Sequence, residues 1–555
     1  MTSNPAGSAA ARTAASGASA VLLLLASAQF LMVLDSSVMN VSIAAVAEDI
    51  GTTVTGIQTA ITLYTLVMAS LMVTGGKVGA MIGHRRAFSI GIVIYASGSF
   101  VTAIAPSLPV LIIGWSFLEG IGAALIMPAL VALVAANFPP ERRAAAYGAL
   151  AAAAALAVAA GPLIGGAVTT LLTWRLVFLG EVVVAFVILV FARRLKDKPV
   201  EPQPPFDLVG ALLSIVGLAA FVLGILKTGE WGWVRPEPGM PEILGLSPAL
   251  WLILGGLLVL WLLTRYESRL EAAGREPLIR PTLFRVPQLT GGLALFLGQY
   301  FIQGGFFFVT PLFLSVVLEL SAFQTGLRLV PLSVALFVTA LGLPRFLPRV
   351  SPRRIVQLGL LLAAAGVMVL ISGLDIDADA SVVTIPMVLI GIGLGALASQ
   401  LGAVTVSALP DSRSSEVGGL QNTSSNLGIS LGTALVGSVL IGALSTAFVT
   451  GILESPTIPD EVKEQTQVNL VGDIPFVSAT QLEAALSETD LPPETVDEIL
   501  ATNHAAQIEA LRFALAFVAL AAVLALFATP RVPDKPIGSA ASEEAPPGER
   551  ATAAT

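Results

Sequence analysis

The chain contains no cysteine, and only two of its 555 residues, His84 and His504, are histidine. Without cysteine there is no disulfide framework, no thiolate nucleophile and no cysteine-ligated metal. Two histidines this far apart do not suggest a histidine metal site. Charge is scarce too: Asp, Glu, Lys and Arg make up 12% of the residues, against roughly 25% in soluble domains. No Gly-x-x-x-x-Gly-Lys-Ser/Thr loop occurs, since "GGKVG" at 75–79 has neither the spacing nor the hydroxyl, so no nucleotide-phosphate cradle supplies energy within the chain. Apolar residues are abundant, at 55% with a mean hydropathy of +0.86. This is the composition of a polytopic membrane protein.

Arg12 followed by "VLLLLASA" has the outline of a secretory signal. The apolar run continues through "QFLMVL", long enough to span, so the first span is expected to stay in the mature protein. Apolar runs of about 20 residues fall near 20–45, 55–75, 87–105, 109–136, 144–171, 176–192, 207–227, 248–264, 288–314, 323–343, 354–373, 382–408, 415–446 and 508–528. These fourteen candidates predict an all-α membrane protein. With the N-terminus inside, 23 of the 29 Lys and Arg fall on inner loops or tails, leaving 6 outside or in the membrane. The positive-inside rule favours that orientation, with both termini cytoplasmic.

Residues 447–507 hold eleven acidic side chains and one lysine, Lys463, and are expected as a large outer loop. Within it "SATQLEAAL" and "PPETVDEILATNHAAQIEALRF" predict short amphipathic helices, either a cap over an opening or a solvated loop. The stretch 531–555, rich in Pro, Ala, Ser and Glu, is expected to be disordered.

Several motifs lie on these spans. The first carries "LDSSVMNVSI" at 34–43, with Asp35 and Asn40. The loop after the second is "GGKVGAMIGHRRAF", with Gly76, Gly83, His84, Arg85 and Arg86. The fourth span reads "GWSFLEGIGAALIMPA", with Ser116 and Glu119, and the fifth "AAGPLIGGAV", with Gly161, Pro162, Gly165 and Gly166. "WRLVFLGEVV" opens the sixth, with Glu181, and "LGLPRFLPRVSPRRIV" is a weaker second copy of the glycine-rich loop. Together these resemble the major facilitator superfamily, and within it the fourteen-span drug:proton antiporters. The sequence departs from that pattern at Ala80, where the loop's Asp belongs, at Ser116 for an Arg, at Glu119 for a Gln, and at Glu181 and Val183 for an Asn and a Pro.

The resemblance implies two six-helix bundles related by an axis along the membrane normal, at 20–200 and 271–530, with two inserted helices at 201–270 and a cytoplasmic tail at 1–19. It further implies that Gly161, Pro162, Gly165 and Gly166 form a bend and close contact at a gate. Gly76, Gly83, Arg85 and Arg86 belong to the inner-gate loop, whose latch the missing Asp puts in question.

An ionisable residue at mid-span costs about 2.5–3.5 kcal/mol, so each intramembrane charge asks for a role or a partner. By depth Asp35 and Glu119 lie near mid-membrane, and Glu181 and Arg328 in the outer third. Asp35 is a proton carrier or cation contact, or else a carboxylate satisfied by Ser36 and Asn40. Ser116, Gly120 and Ala124 form a small-residue stripe with Glu119 on its edge, facing the bundle interior. Arg328 is expected either to meet Glu181 when the outer side closes or to snorkel. Gln299, Tyr300 and Gln303 in the ninth span, with Asn422 and Asn426, are candidates to line an aromatic, mostly apolar cavity.

The resulting expectation is proton-driven export of hydrophobic or amphipathic, possibly cationic, small molecules by a monomer in the plasma membrane. No cofactor, metal or nucleic acid is expected; the energy source is the proton gradient. A dedicated physiological metabolite or lipid is the alternative cargo, and a membrane enzyme or receptor the distant one.

Overall fold

The computed structural model describes residues 5–534, apart from 139, 198–206, 238, 276, 348, 376–378, 410–413, 461–462, 464–475 and 488–490. The tail expected to be disordered lies, from 535 onward, outside the described residues. The described chain is helical, its one β contact being an isolated bridge between Ile243 and Leu246. The helices are α1 (Pro5–Asp49), α2 (Val54–Ile82), α3 (His84–Ala103), α4 (Leu108–Leu111), α5 (Gly120–Asn137), α6 (Pro140–Leu171) and α7 (Arg175–Ala192). There follow α8 (Leu208–Leu226), α9 (Thr228–Trp231), α10 (Pro248–Ala272), α11 (Pro287–Leu312), α12 (Ala322–Phe346), α13 (Pro352–Gly373), α14 (Thr384–Val406), α15 (Ser414–Glu454), α16 (Ala479–Leu486) and α17 (Pro493–Ala525).

Among the described residues, thirteen helical segments are long and apolar enough to cross a membrane. The expected fifth span coincides with α6, where the described residues give a shorter apolar stretch, Leu156–Leu171. Local chemistry sets several boundaries. Thr53 accepts from the Gly56 N–H at 3.1 Å and starts α2, and Ser321 with Gln324 forms a capping box on α12. Gly83 divides α2 from α3 at φ +96°, a conformation open to glycine.

α1–α7 and α11–α17 form two halves built alike. In the first, α3 packs on α5 and α2 on α5; in the second, α13 packs on α14 and α12 on α14. The halves meet through α2 against α15 and, reciprocally, α6 against α12, as a repeat about an axis along the membrane normal produces. A second echo lies at the entries of α3 and α13. Arg85 binds the segment after α7, its backbone N–H donating to Asp197 (2.9 Å) and its guanidinium to the Leu195 carbonyl. Arg353 binds the segment after α17, through Asp534 (2.6 Å) and the Val532 carbonyl (2.9 Å). Arg85 therefore binds within its own half; Arg86 is exposed.

The inserted helices α8 and α10 pack on each other through glycines. α8 also leans on α2 and α15, at the seam between the halves.

The acidic segment differs from expectation. "SATQLEAAL" forms α16 with a Ser478–Gln481 capping box, but the second predicted helix is continuous with the last span as α17. No Pro or Gly occurs between Pro493 and Pro530 to break it. The Thr480 N–H (3.0 Å) and hydroxyl (2.9 Å) of α16 donate to Glu319, in the turn before α12. The backbone bond first, and the hydroxyl with it, hold the Glu319 carboxyl below its ordinary range. The contact is therefore present at neutral pH and lost as the pH falls through that lowered value.

Candidate functional site

Three acidic side chains from three helices converge inside the first half. Asp35 comes from α1, Glu119 from the end of the segment joining α4 to α5, and Glu181 from α7. Each offers a carboxylate oxygen within 4.8 Å of the others, and their relative exposures are 1%, 0% and 2%. Glu181, expected in the outer third, thus lies beside Asp35 and Glu119.

The joining segment, Ile112–Glu119, is a π-helix, a rare form frequent at functional sites. It directs three side chains to three neighbours. The Trp115 indole N–H donates to both Asp35 oxygens (2.9 and 3.1 Å), while the ring stacks on Tyr64 of α2 at 4.9 Å between centroids and 5° between planes. The Ser116 hydroxyl donates to the Ala60 carbonyl at 2.8 Å. Glu119 accepts from Thr102 of α3 at 3.2 Å. Glycine makes that approach possible: a Cβ on Gly98 would sit 2.6 Å from both Glu119 Cγ and the Gly114 carbonyl oxygen. On the same face of α3, Tyr95 and Ser99 donate to one Glu181 oxygen at 2.9 and 3.1 Å. Tyr95, Ser99 and Thr102 thus line one helical stripe facing two of the three carboxylates.

Among the described residues no ion pair joins a Lys or Arg to these acids. Two unit charges 4.8 Å apart repel by roughly 3–4 kcal/mol at an effective dielectric near 20, so a fully ionised trio without a cation is strongly disfavoured. The remaining Glu119 and Glu181 oxygens are buried without a hydrogen-bond partner. Such an arrangement can hold protons or a cation and can exchange one for the other.

The other expected contacts sort as follows. Arg328 does not pair with Glu181; it is half-buried on α12 in the second half, where it adds a last, small contribution to an Asp379 carboxyl held below its ordinary range chiefly by hydrogen bonds from Ser381. Asn40 donates to the Ser36 carbonyl of its own helix (2.7 Å), so Trp115 takes the role expected of Ser36 and Asn40. Ser116 is bonded to backbone and fully buried, which removes it from a cavity wall. Gln299 is buried on α11, and Tyr300, stacked on Phe296 (6.2 Å), and Gln303 are half-buried there. Asn422 and Asn426 donate to α15 carbonyls (3.0 and 2.9 Å).

Gly161 and Gly165 bring α6 onto Ser37 and Val38 of α1. Gly166 meets the Ala322 backbone, and Pro162 meets Gly326, on α12. Two bonds cross the same seam, Phe323 N–H to the Thr170 hydroxyl (2.9 Å) and Ser333 hydroxyl to the Val158 carbonyl (3.1 Å). Gln58 and Ser430 tie α2 to α15 (3.1 and 3.2 Å). Towards the His84 end, a cavity of about 330 Å³ opens between α2, α5, α15 and residues 277–283, with Gly76 and Asn422 in its wall.

The network gives a stability prediction. Tyr95→Phe keeps the ring and removes the donor to Glu181, and Trp115→Phe removes the donor to Asp35 together with part of the indole stacked on Tyr64. Each should cost about 1–3 kcal/mol, read as earlier thermal unfolding of the detergent-solubilised protein; unchanged unfolding would mean that these bonds do not hold the trio.

Sequence reading missed Trp115, Tyr64, Tyr95, Ser99 and Thr102. A signal was available in "IYASGSFVT", where Tyr95, Ser99 and Thr102 recur at four and three residues.

Comparison with known proteins places these features in context. The sequence pattern of the Major Facilitator Superfamily matches residues 25–433. The chain is 32% identical to the cephamycin export protein CmcT of Amycolatopsis lactamdurans, over 63% of this chain and 70% of that one. It is 27% identical to the multidrug efflux pump LfrA of Mycolicibacterium smegmatis, over 83% and 89%. Among solved structures, a bacterial homolog of the human lysosomal transporter Spinster, inward-facing and unoccupied, superposes with a TM-score of 0.60 at 15% identity, covering 93% of this chain and 98% of that one.

Proposed function

Since the chain belongs to the Major Facilitator Superfamily, we propose that it is a secondary transporter that exports amphipathic drugs or antibiotics in exchange for protons carried by Asp35, Glu119 and Glu181. The observation that carries this reading is the trio itself: three buried carboxylates within 4.8 Å, with no basic partner among the described residues. Protons satisfy such a site from one side of the membrane. A substrate that alters the cluster's surroundings releases them to the other. Antiport follows when the cluster communicates with each side in turn.

The seams supply that alternation. α6 against α12 and α2 against α15 close the end at which Thr170 and Phe323 lie, while the cavity opens at the His84 end. With the expected placement of Lys and Arg, the closed end faces outward and the cavity the cytoplasm. The protein then sits in the plasma membrane with both termini inside and the cavity open inward. The cephamycin exporter among the relatives supports a second reading, in which the cargo is one secreted metabolite.

The test uses inside-out membrane vesicles carrying the protein and a fluorescent amphipathic dye. Dye accumulation should follow an imposed inside-acid pH gradient and stop when nigericin collapses it. Accumulation that continues unchanged would remove proton coupling.

A further inference from the structure

The start of α8 and the end of α10 hold a second pair of buried acids, on helices that carry none of the trio. Asp207 is 7% exposed and Glu267 2%. Each is satisfied on one side only. Asp207 Oδ1 accepts from the Gly210 N–H (2.9 Å) and the Tyr266 hydroxyl (3.0 Å), as the cap that starts α8. Glu267 Oε2 accepts from the Leu278 N–H at 2.8 Å. The other oxygen of each, Asp207 Oδ2 and Glu267 Oε1, is buried without a hydrogen-bond partner.

Both orphaned oxygens converge on one glycine. A Cβ on Gly210 would lie 2.3 Å from Asp207 Oδ2 and 2.5 Å from Glu267 Oε1. Two arms of that length from one point permit the separation of about 2.5–2.7 Å that an O–H···O⁻ bond needs. Among the described residues no Lys or Arg forms an ion pair with either acid. Lys77 of α2 acts on Glu267 by its charge, while its ammonium donates to the Pro277 carbonyl. Arg275 acts on Tyr266, and Glu271, one turn beyond Glu267, accepts from the Thr282 hydroxyl. Two adjacent buried carboxylates, each with an unsatisfied oxygen, are costly. One proton between them satisfies both oxygens and removes the repulsion.

We propose that Asp207 and Glu267 share one proton at neutral pH, a proton-binding site separate from the trio that fastens α8 and α10 to the rim of the cavity. The fastening runs from Glu267 to Leu278, and from the neighbouring Pro277 to Lys77. Lys77, Pro277 and Leu278 all line the cavity. A metal ion fits this pair less well, since calcium takes about 6–8 oxygen ligands and only these two orphaned oxygens meet at Gly210 among the described residues.

The test is infrared absorption of the detergent-purified full-length protein at neutral pH, with the C=O stretch of protonated carboxyls as the signal. Asp35→Asn, Glu119→Gln and Glu181→Gln together serve as the background, which removes the trio's own signal. In that background Glu267→Gln and Asp207→Asn should each remove the intensity of one protonated carboxyl per chain. Each amide keeps an oxygen for the present donors and supplies an N–H to the acid that remains, which then needs no proton. A thermal midpoint close to that of the background shows that each variant is folded. Gly210→Ala leaves both acids in place but parts their oxygens, and should shift the band to higher frequency as its hydrogen bond is lost. Loss of the band in only one amide variant would give the proton to a single residue, and loss in neither would mean that both acids are ionised. Either result, or an unshifted band in Gly210→Ala, overturns the sharing. A background without the band, whose midpoint rises on adding calcium or sodium, would assign the site to a metal ion instead. Because the trio is absent throughout, the outcome is independent of whether the trio carries protons for export.

Discussion

Asp35→Asn and Glu119→Gln should each lower the concentration ratio that the proton gradient sustains, about tenfold per pH unit of gradient, while leaving a folded protein that still moves substrate down its gradient. Both replacements keep size and accepting oxygens, so Trp115 still has a partner at position 35 and Thr102 one at position 119. Each removes one ionisable group from a trio packed within 4.8 Å. The thermal midpoint should therefore be unchanged or raised, because like-charge repulsion is relieved. The magnitude follows from the coupling: one proton per turnover contributes about 1.4 kcal/mol per pH unit, roughly a tenfold concentration ratio. Loss of one carried proton lowers the attainable ratio by about that factor per unit of imposed gradient. Accumulation ratios measured in proteoliposomes at two gradients would show this; a parental ratio in both variants would exclude both residues as carriers.

A comparable loss is expected from Gly326→Val, a substitution that changes no charge. A side chain at Gly326 would run into the Pro162 carbonyl of α6, where backbone meets backbone and no rotamer change gives relief. The α6–α12 seam then cannot close, and export should fall at least tenfold. The absence of cysteine allows a direct reading of closure, since Thr170→Cys with Phe323→Cys places a thiol on each side of the seam. Cross-linking by a short bis-maleimide should be efficient in the parent and slow once Gly326→Val is added. Efficient cross-linking and full export by the triple variant would contradict the assignment of this seam as a gate.

Much of the fold was legible because a bilayer imposes a simple rule: each crossing needs about 20 apolar residues with internally satisfied backbone. The spans around α1, α8 and α13 stand out on that rule alone. The weaker copy at "LGLPRFLPRVSPRRIV" correctly announced a repeat, and Arg353 now echoes Arg85 in binding the segment that follows its own half. Glu119 was legible as inward-facing from the small residues around it. Three things escaped. Depth counted along separate helices assumes equal tilt and regular turns, which set Glu181 apart from the two acids it joins. The π-helix carries no recognisable signature in "IIGWSFLE", so the direction of Trp115 was out of reach. Arg328 was matched to Glu181 by depth and opposite charge, whereas Glu181 turns to Tyr95 and Ser99 within the first half and Arg328 stays half-buried on α12.

The glycines divide in the same way. Gly98 and Gly114 look interchangeable with any packing glycine in sequence, yet Gly98 alone gives Glu119 room beside α3. In "AAGPLIGGAV", Gly161 and Gly165 serve packing within one half and Gly166 serves the contact between halves. That division depends on which neighbour α6 presents to each face, information that lies elsewhere in the chain.

The central claim is that substrate displaces protons from the Asp35, Glu119 and Glu181 cluster. Proton release is the direct measure: substrate is added to the purified protein in weakly buffered detergent solution, and the pH change is followed with an indicator dye. The parent should release protons in proportion to bound substrate, and the Asp35→Asn, Glu119→Gln, Glu181→Gln triple variant should bind substrate and release none. Equal release by the two proteins would contradict the account.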